Sequence, residues 1–229
     1  MKQLVFDVET DGIKYTRIWC VVVQDAETGE ISSFGPNELQ EAVEYLNTAD
    51  MLIGHNILTF DIPCIRKVLE LPDFARDIKV RDTLVLSRLF SPDRSTGHRL
   101  GDWGSMLNYP KIDFHDYSAY SEQMLNYCIR DVELNTRVFK ELQKEQRSKK
   151  FSLKSIDLEH RVAEILGAQE RQGFLLDMDK AAKIKTFLEE DIIENENKIK
   201  EVFKPKIIET KLFPKYKKDG SVARNAVTE

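Results

Sequence analysis

Apolar and polar positions alternate from the first residues. Leu4, Val5, Phe6 and Val8, set among Gln3, Asp7 and Glu9, predict a strand. "RIWCVVVQD" (17–25), rich in Val, predicts a second. Thr28 and Gly29 supply a turn into "EISSFG" (30–35), a third strand, so the chain opens as a β-meander. Leu39, Ala42, Val43 and Leu46 then recur at helical spacing, with Asn37 as the N-cap. "MLIGHN" (51–56) predicts a short buried strand. "DIPCIRKVLE" predicts a helix with Asp61 in the cap position and Pro63 in its first turn.

"VRDTLVLSRLF" (80–90) predicts a short strand running into a helix, with Asp82 capping the junction. "SPDRSTGH" (91–98) has loop chemistry, and Leu100, Trp103 and Leu107 follow it at the spacing of a core-facing helix. A long amphipathic helix over 118–146 carries Tyr120, Met124, Tyr127, Asp131, Leu134 and Val138 on related turns. Strands followed by alternating helix and strand predict an α/β sandwich. Beyond "QRSKK" (146–150) the character changes, which places a domain boundary near 150. A helix ended by Gly173 is expected there, then a short apolar strand, then a charged helix over 177–203. The stretch 198–218 holds eight lysines against two glutamates, and 219–229 has no periodicity. The two regions are thus 1–150 and a helical extension, 151–229, with a basic tail.

Composition narrows the function classes. A net charge of −5 argues against a protein that coats nucleic acid non-specifically, but leaves room for local contact through metal ions. The three cysteines, Cys20, Cys64 and Cys128, are odd in number, scattered and set among apolar residues. That suits buried thiols in a reducing compartment rather than disulfides or zinc. No run approaches the ~18 apolar residues of a membrane span. Asp7 follows the N-terminus too soon for a signal peptide. A soluble, cytoplasmic protein without a membrane partner is expected.

The acidic residues carry the chemistry. Asp7 and Glu9 are two apart on one strand, so their side chains share a face. Paired carboxylates repel unless a cation lies between them, and a hard divalent ion is the natural partner. Asn56, Phe60 and Asp61 follow the buried strand at 51–56; for Asp61 alone, a helix cap would suffice. Tyr127 and Asp131, four apart on a helix, share a face.

Together, D-x-E near a strand end, N-x-x-x-F-D and Y-x-x-x-D in that order resemble the three motifs of the DEDDy family of 3′–5′ exonucleases. The matching residues are Asp7 and Glu9, Asp61, and Tyr127 with Asp131. The related histidine subclass would place His five before Asp131, where Asn126 stands. "DTLVLSRL" (82–89) and "IDLEHRVAEILGAQERQGFLLD" (156–177) extend the resemblance to bacteriophage family A DNA polymerases, although no polymerase palm motif occurs.

The resemblance implies a ribonuclease-H-like mixed sheet flanked by helices and a two-metal phosphodiester hydrolase using Mg²⁺, with Mn²⁺ as a substitute. It implies Asp7 bridging both ions, Glu9 and Asp131 on the ion that activates water, and Asp61 supporting the other. Tyr127 would orient the attacking water. Thr10 and Asn56 are expected at the terminal nucleotide, and Phe60 either stacks on a base or packs in the core. His55 is expected to be structural. The expected function is 3′–5′ degradation of single-stranded DNA to nucleoside monophosphates, linked to replication or proofreading, in the host cytoplasm if phage-encoded. An RNA 3′–5′ exonuclease is the alternative, and docking on a DNA polymerase subunit is a third reading. Every expected ligand precedes residue 132, so a fragment of about 1–150 would carry the site.

Overall fold

A computed structural model describes residues 1–204. Strands β1 (Gln3–Thr10), β2 (Ile18–Asp25), β3 (Ile31–Phe34), β4 (Met51–Gly54) and β5 (Lys79–Asp82) form one sheet in the order β3-β2-β1-β4-β5. The first three make the expected antiparallel meander, while β4 lies parallel to β1 and β5 parallel to β4. This is the mixed sheet of a ribonuclease-H-like fold. Its helices are α1 (Leu39–Leu46), α2 (Asp61–Val68), α3 (Thr83–Phe90), α4 (Leu100–Met106), α5 (Glu122–Lys149) and α6 (Leu153–Gln172).

The period of two along β1 decides where the chemistry goes. Leu4, Phe6 and Val8 enter one core with Ala42, Val43 and Leu46 of α1 and Ile62 and Ile65 of α2. Val5 points the other way, into a core with Val22, Ile53, Trp103 and the Met124–Cys128–Val132 stripe of α5. Asp7 and Glu9 continue the Val5 face, so the same alternation that fills both cores aims two carboxylates toward α5. A bulge between Glu9 and Thr10, where pairing jumps from Cys20 to Ile18, ends this regular stretch. The carboxyl ends of the parallel strands β1, β4 and β5 gather at one edge, a common place for ligand sites in such sheets.

Several local expectations change. Glu38, not Asn37, precedes α1, and its carboxylate accepts from the Gly35 N–H at 2.8 Å. Asp61 is the first residue of α2 rather than its cap, and its side chain is drawn to β1. Phe174–Leu176 forms no strand and is exposed. The helix expected over 177–203 forms as α7 (Met178–Val202), with no buried residue. Most of the lysine-rich stretch, from residue 205 on, lies outside the described residues.

The boundary near 150 coincides with the turn between α5 and α6, where Lys150 adopts a left-handed conformation. The first compact unit nevertheless runs from Met1 to Gly173, and a second begins at Phe174. Helix α6 belongs to the first. Ile156 is fully buried, Arg81 pairs with Asp157 at 2.6 Å, and His160 Nε2 accepts from the Asp82 N–H at 2.8 Å. Burial holds the His160 imidazole down at about 4. It is therefore neutral, and Nδ1–H donates to the Ile156 carbonyl at 2.8 Å.

Chain truncation tests this arrangement. Ending the chain after Gly173 should leave the thermal unfolding of the first unit unchanged. Ending it after Lys150 removes a buried Ile and a buried hydrogen bond and should cost roughly 3 kcal/mol or more. Equal melting of the two fragments would show that α6 adds nothing to this unit.

Candidate active site

The site is assembled from the end of β1, the start of α2 and one face of α5. Asp7 and Glu9 come from the last turns of the β1 pleat, with Glu9 only 7% exposed. β4 pairs with β1 only as far as Val5–Ile53, which leaves the next β1 amides on that edge without a strand partner. Asp61 fills the gap: its Oδ1 accepts from the Val8 N–H at 3.1 Å and places its carboxylate beside Asp7. From the other side, the α5 face presents Asp131, buried, and Tyr127 one turn earlier. Four of the sequence-predicted carboxylates therefore line one cleft of about 1150 Å³.

The turn between β4 and α2 is held by a residue read from sequence as a cap alone. Asp82 does cap α3, accepting from the Leu84 N–H at 2.9 Å. Its carboxylate also accepts from the Asn56 N–H at 2.9 Å and the Leu58 N–H at 3.2 Å. Asn56 sits at φ +67°, a conformation Asn tolerates better than most residues. Gly54 permits the tight approach, since a Cβ there would overlap the Ile57 side chain. His55, neutral with its pKa lowered to about 4 by burial, hydrogen-bonds Thr83 at 2.9 Å and plays the expected structural part.

Crowding shows in the electrostatics. Burial, then the Asp131 charge, pushes Asp7 up to about 7. Burial, then Asp7, pushes Glu9 up to about 10. Asp61 and Asp131 are raised as well, mainly by burial. One positive side chain answers them. Lys111, from the loop before α5, lies 2.5 Å from Asp131 Oδ2 and donates to the Tyr127 hydroxyl at 2.7 Å. Asp131 Oδ1 is buried with no hydrogen-bond partner among the described residues. Ligand atoms of Asp7, Glu9 and Cys128 lie within 4.8 Å of one another. Oxygen donors, an orphaned carboxylate oxygen and strongly raised acids together fit hard divalent cations. The Cys128 thiol is held protonated by burial and contacts Asp7 Oδ2 at 3.8 Å, so it is a weak donor to Asp7 rather than a thiolate ligand.

The remaining predicted residues are divided. Phe60 both lines the cleft and meets Tyr15 edge-to-face at 5.4 Å. Asn56 lines the cleft, and its Oδ1 accepts from Thr59 at 2.7 Å. Thr10 turns away: its hydroxyl donates to the Gly12 carbonyl at 3.0 Å, within its own turn. The Tyr127 ring stacks on Phe114 at 5.5 Å, and burial beside Asp131 raises its hydroxyl pKa, keeping the proton on. Leu100 and Trp103 are core, as expected, and Leu107 packs against it.

Sequence reasoning missed the basic residues of the cleft. Arg88, Arg99 and Lys111 line the cleft with the Ser95–Thr96–Gly97 loop, beneath which Arg94 stacks on Trp103 at 4.3 Å. The cleft thus carries basic side chains as well as its carboxylates, within an acidic protein. These residues lie in loops or at a helix end, where no periodicity marks them.

No protein-family model matches the chain. It is similar to the DNA-directed DNA polymerase of Enterobacteria phage T3, with 24% identity over 235 residues, covering 76% of this chain and 33% of that protein. The polymerase of Escherichia phage T7 matches at 23% identity over the same shares. The chain spans about a third of the length of these curated relatives. This is the phage polymerase resemblance that the motifs pointed to. Among solved structures, Brucella melitensis NrnC superposes with a TM-score of 0.52 at 18% identity, covering 75% of this chain and 86% of that one. A second structure of NrnC, with bound Mg²⁺, matches equally. At that identity the likeness concerns the fold.

The raised acids give a metal-linked pH dependence. Folded values near 7 for Asp7 and 10 for Glu9 lie above the ordinary 3.8 and 4.5. Without a divalent cation their contribution to stability is present below the ordinary values and is lost as pH rises through the folded ones. Mg²⁺ competes with those protons, so its stabilising effect should grow with pH. Melting in EDTA and in Mg²⁺ at pH 6 and pH 8 measures this. The Mg²⁺-induced rise in Tm should be larger at pH 8; an equal rise at both would mean that these carboxylates do not take the ion.

Proposed function

We propose that this chain is a metal-dependent 3′–5′ exonuclease that removes nucleoside monophosphates from the end of single-stranded DNA. The observation that carries the reading is the convergence of Asp7, Glu9, Asp61 and Asp131 on one cleft that Arg88, Arg99 and Lys111 also line. Divalent ions held by these four carboxylates would generate a nucleophilic water at neutral pH and offset the charge that builds on the phosphoryl oxygens.

The chain's own residues supply the rest. The charge of Asp7 acts on both Asp61 and Glu9, and that of Asp131 acts on Asp7, which supports Asp7 as a shared ligand. Tyr127 holds its proton, so it positions an attacking water through its hydroxyl rather than abstracting a proton. Lys111 orients that hydroxyl and limits the repulsion around Asp131. Arg88 and Arg99 offer charge to backbone phosphates across the cleft, and Phe60 offers a face on which a terminal base can stack. Similarity to phage DNA polymerases supports DNA as the substrate and replication or proofreading as the setting, with a polymerase as partner.

Hydrolysis of end-labelled oligonucleotides by the full chain tests the proposal. Single-stranded DNA should be degraded from its 3′ end with Mg²⁺ or Mn²⁺ and not in EDTA, faster than duplex, and a 3′-phosphate should slow it strongly. Cutting of a circular single strand would require an endonuclease instead. Preferred degradation of RNA would change the substrate but keep the chemistry.

Asp7→Ala and Asp131→Asn should each lower the single-turnover rate by more than ~100-fold, beyond the effect typical of a residue that only supports a ligand. Tyr127→Phe should cost roughly 10-fold, less than the 10²–10³-fold of a donor acting directly on a transition state. Full activity in Asp7→Ala, alongside EDTA inhibition of the wild type, would move the metal site elsewhere.

A further inference from the structure

A second cavity, of about 280 Å³, lies between α2, the segment before β5 and α6. Leu58 and Ile62 line its floor, while Phe60 and Asp61 of the same turn line the carboxylate cleft. The cavity is therefore a separate site, reached from the other side of the Asn56–Asp61 turn. Its walls carry Arg66, Arg76, Arg161 and Arg171 against one carboxylate, Glu164.

We propose that this cavity binds a phosphate group. Four guanidiniums facing one carboxylate leave a net +3 among the lining residues, more than a single carboxylate ligand would neutralise. Existing partners absorb only part of it: Arg76 pairs with Asp73, both of them exposed. Arg66 spends only its Nε–H, on the Phe74 carbonyl at 2.9 Å. Arg161 meets Glu164 at a loose 3.5 Å with both side chains largely exposed, a pair of little strength. Arg171 forms no ion pair among the described residues.

Burial lowers the pKa of half-buried Arg66; Arg171 and Arg76 add to that, while Glu164 and Asp73 oppose it. The turn is also pinned against α6, because Gly167 packs where a Cβ would come within 3.1 Å of the Thr59 methyl and 3.3 Å of an Arg171 nitrogen. Arg171 lies beside that contact and lines the cavity. Planar guanidiniums converging from three segments suit the several oxygens of a phosphate.

The phosphate comes from a nucleic-acid backbone or from a free nucleotide. The anion site stands without the exonuclease reading, and only the backbone source rests on it. The test uses the full chain in EDTA, so hydrolysis plays no part. Inorganic phosphate is titrated calorimetrically, and single-stranded DNA binding is followed by anisotropy across a salt series. The variant Arg161→Gln/Arg171→Gln is compared with Lys183→Gln/Lys185→Gln, which makes the same charge change on α7.

The wild type should bind phosphate, the arginine variant should bind it at least about 10-fold more weakly, and the lysine variant should match the wild type. If the source is a backbone, the arginine variant also loses about two from the slope of DNA affinity against salt. If phosphate binding falls and that slope stays, the ligand is a free phosphate or nucleotide. Absence of phosphate binding by the wild type, or equal losses in the two variants, would overturn the site.

Discussion

The carboxylates of Asp7, Glu9, Asp61 and Asp131 line one cleft from β1, α2 and α5, and burial of the last three and part-burial of Asp7 limit the water that would screen them. Their mutual repulsion is the constraint around which this part of the fold is built. Three devices answer it within the chain. The Val8 amide steadies Asp61, Lys111 sits against Asp131, and protons are retained on Asp7 and Glu9 near neutral pH. None of the three neutralises the cluster fully, and the unpartnered oxygen of Asp131 shows where compensation is incomplete. A site left unfinished in this way is tuned to take up cations from outside.

Such a cluster needs a rigid mount, and Asp82 supplies it. One buried carboxylate ends β5, starts α3 and ties down the turn that carries Asn56, Phe60 and Asp61. The Asp82 amide in turn donates to His160, so α6 reaches the site through two hydrogen-bonded residues without touching a carboxylate of the cluster. The chemistry-bearing turn is thus clamped between sheet and helix, with one face toward each of two charged cavities.

Much of this was legible because the periodicities are strict. The alternation in β1 put Asp7 and Glu9 on one face, and the spacing of four in α5 did the same for Tyr127 and Asp131. What escaped depended on long-range partners. Asp61 before Ile62-Pro63 has the local look of an N-cap, yet its bond runs to an amide 53 residues away. Asp82 does cap a helix, and no local signal showed the second turn it holds. Lys111, Arg88 and Arg99 sit outside any repeating pattern, so their gathering at one cleft was invisible in one dimension. The apolar Phe174–Leu176 has strand-like composition but forms no strand, because composition alone does not supply a pairing partner.

Cys128 lies directly beneath Asp7, buried in the seam where α5 crosses β1, and its sulfur contacts the Asp7 backbone carbonyl at 3.7 Å. A thiol in that place is a built-in reporter. An alkylating reagent reaches it only when helix and strand part, so the rate of labelling counts how often the floor of the cleft opens. Oxidation to a sulfinate would set a permanent anion under a cluster already crowded with negative charge. The residue that fills the seam most economically is also the one through which oxidative damage would disable the platform above it.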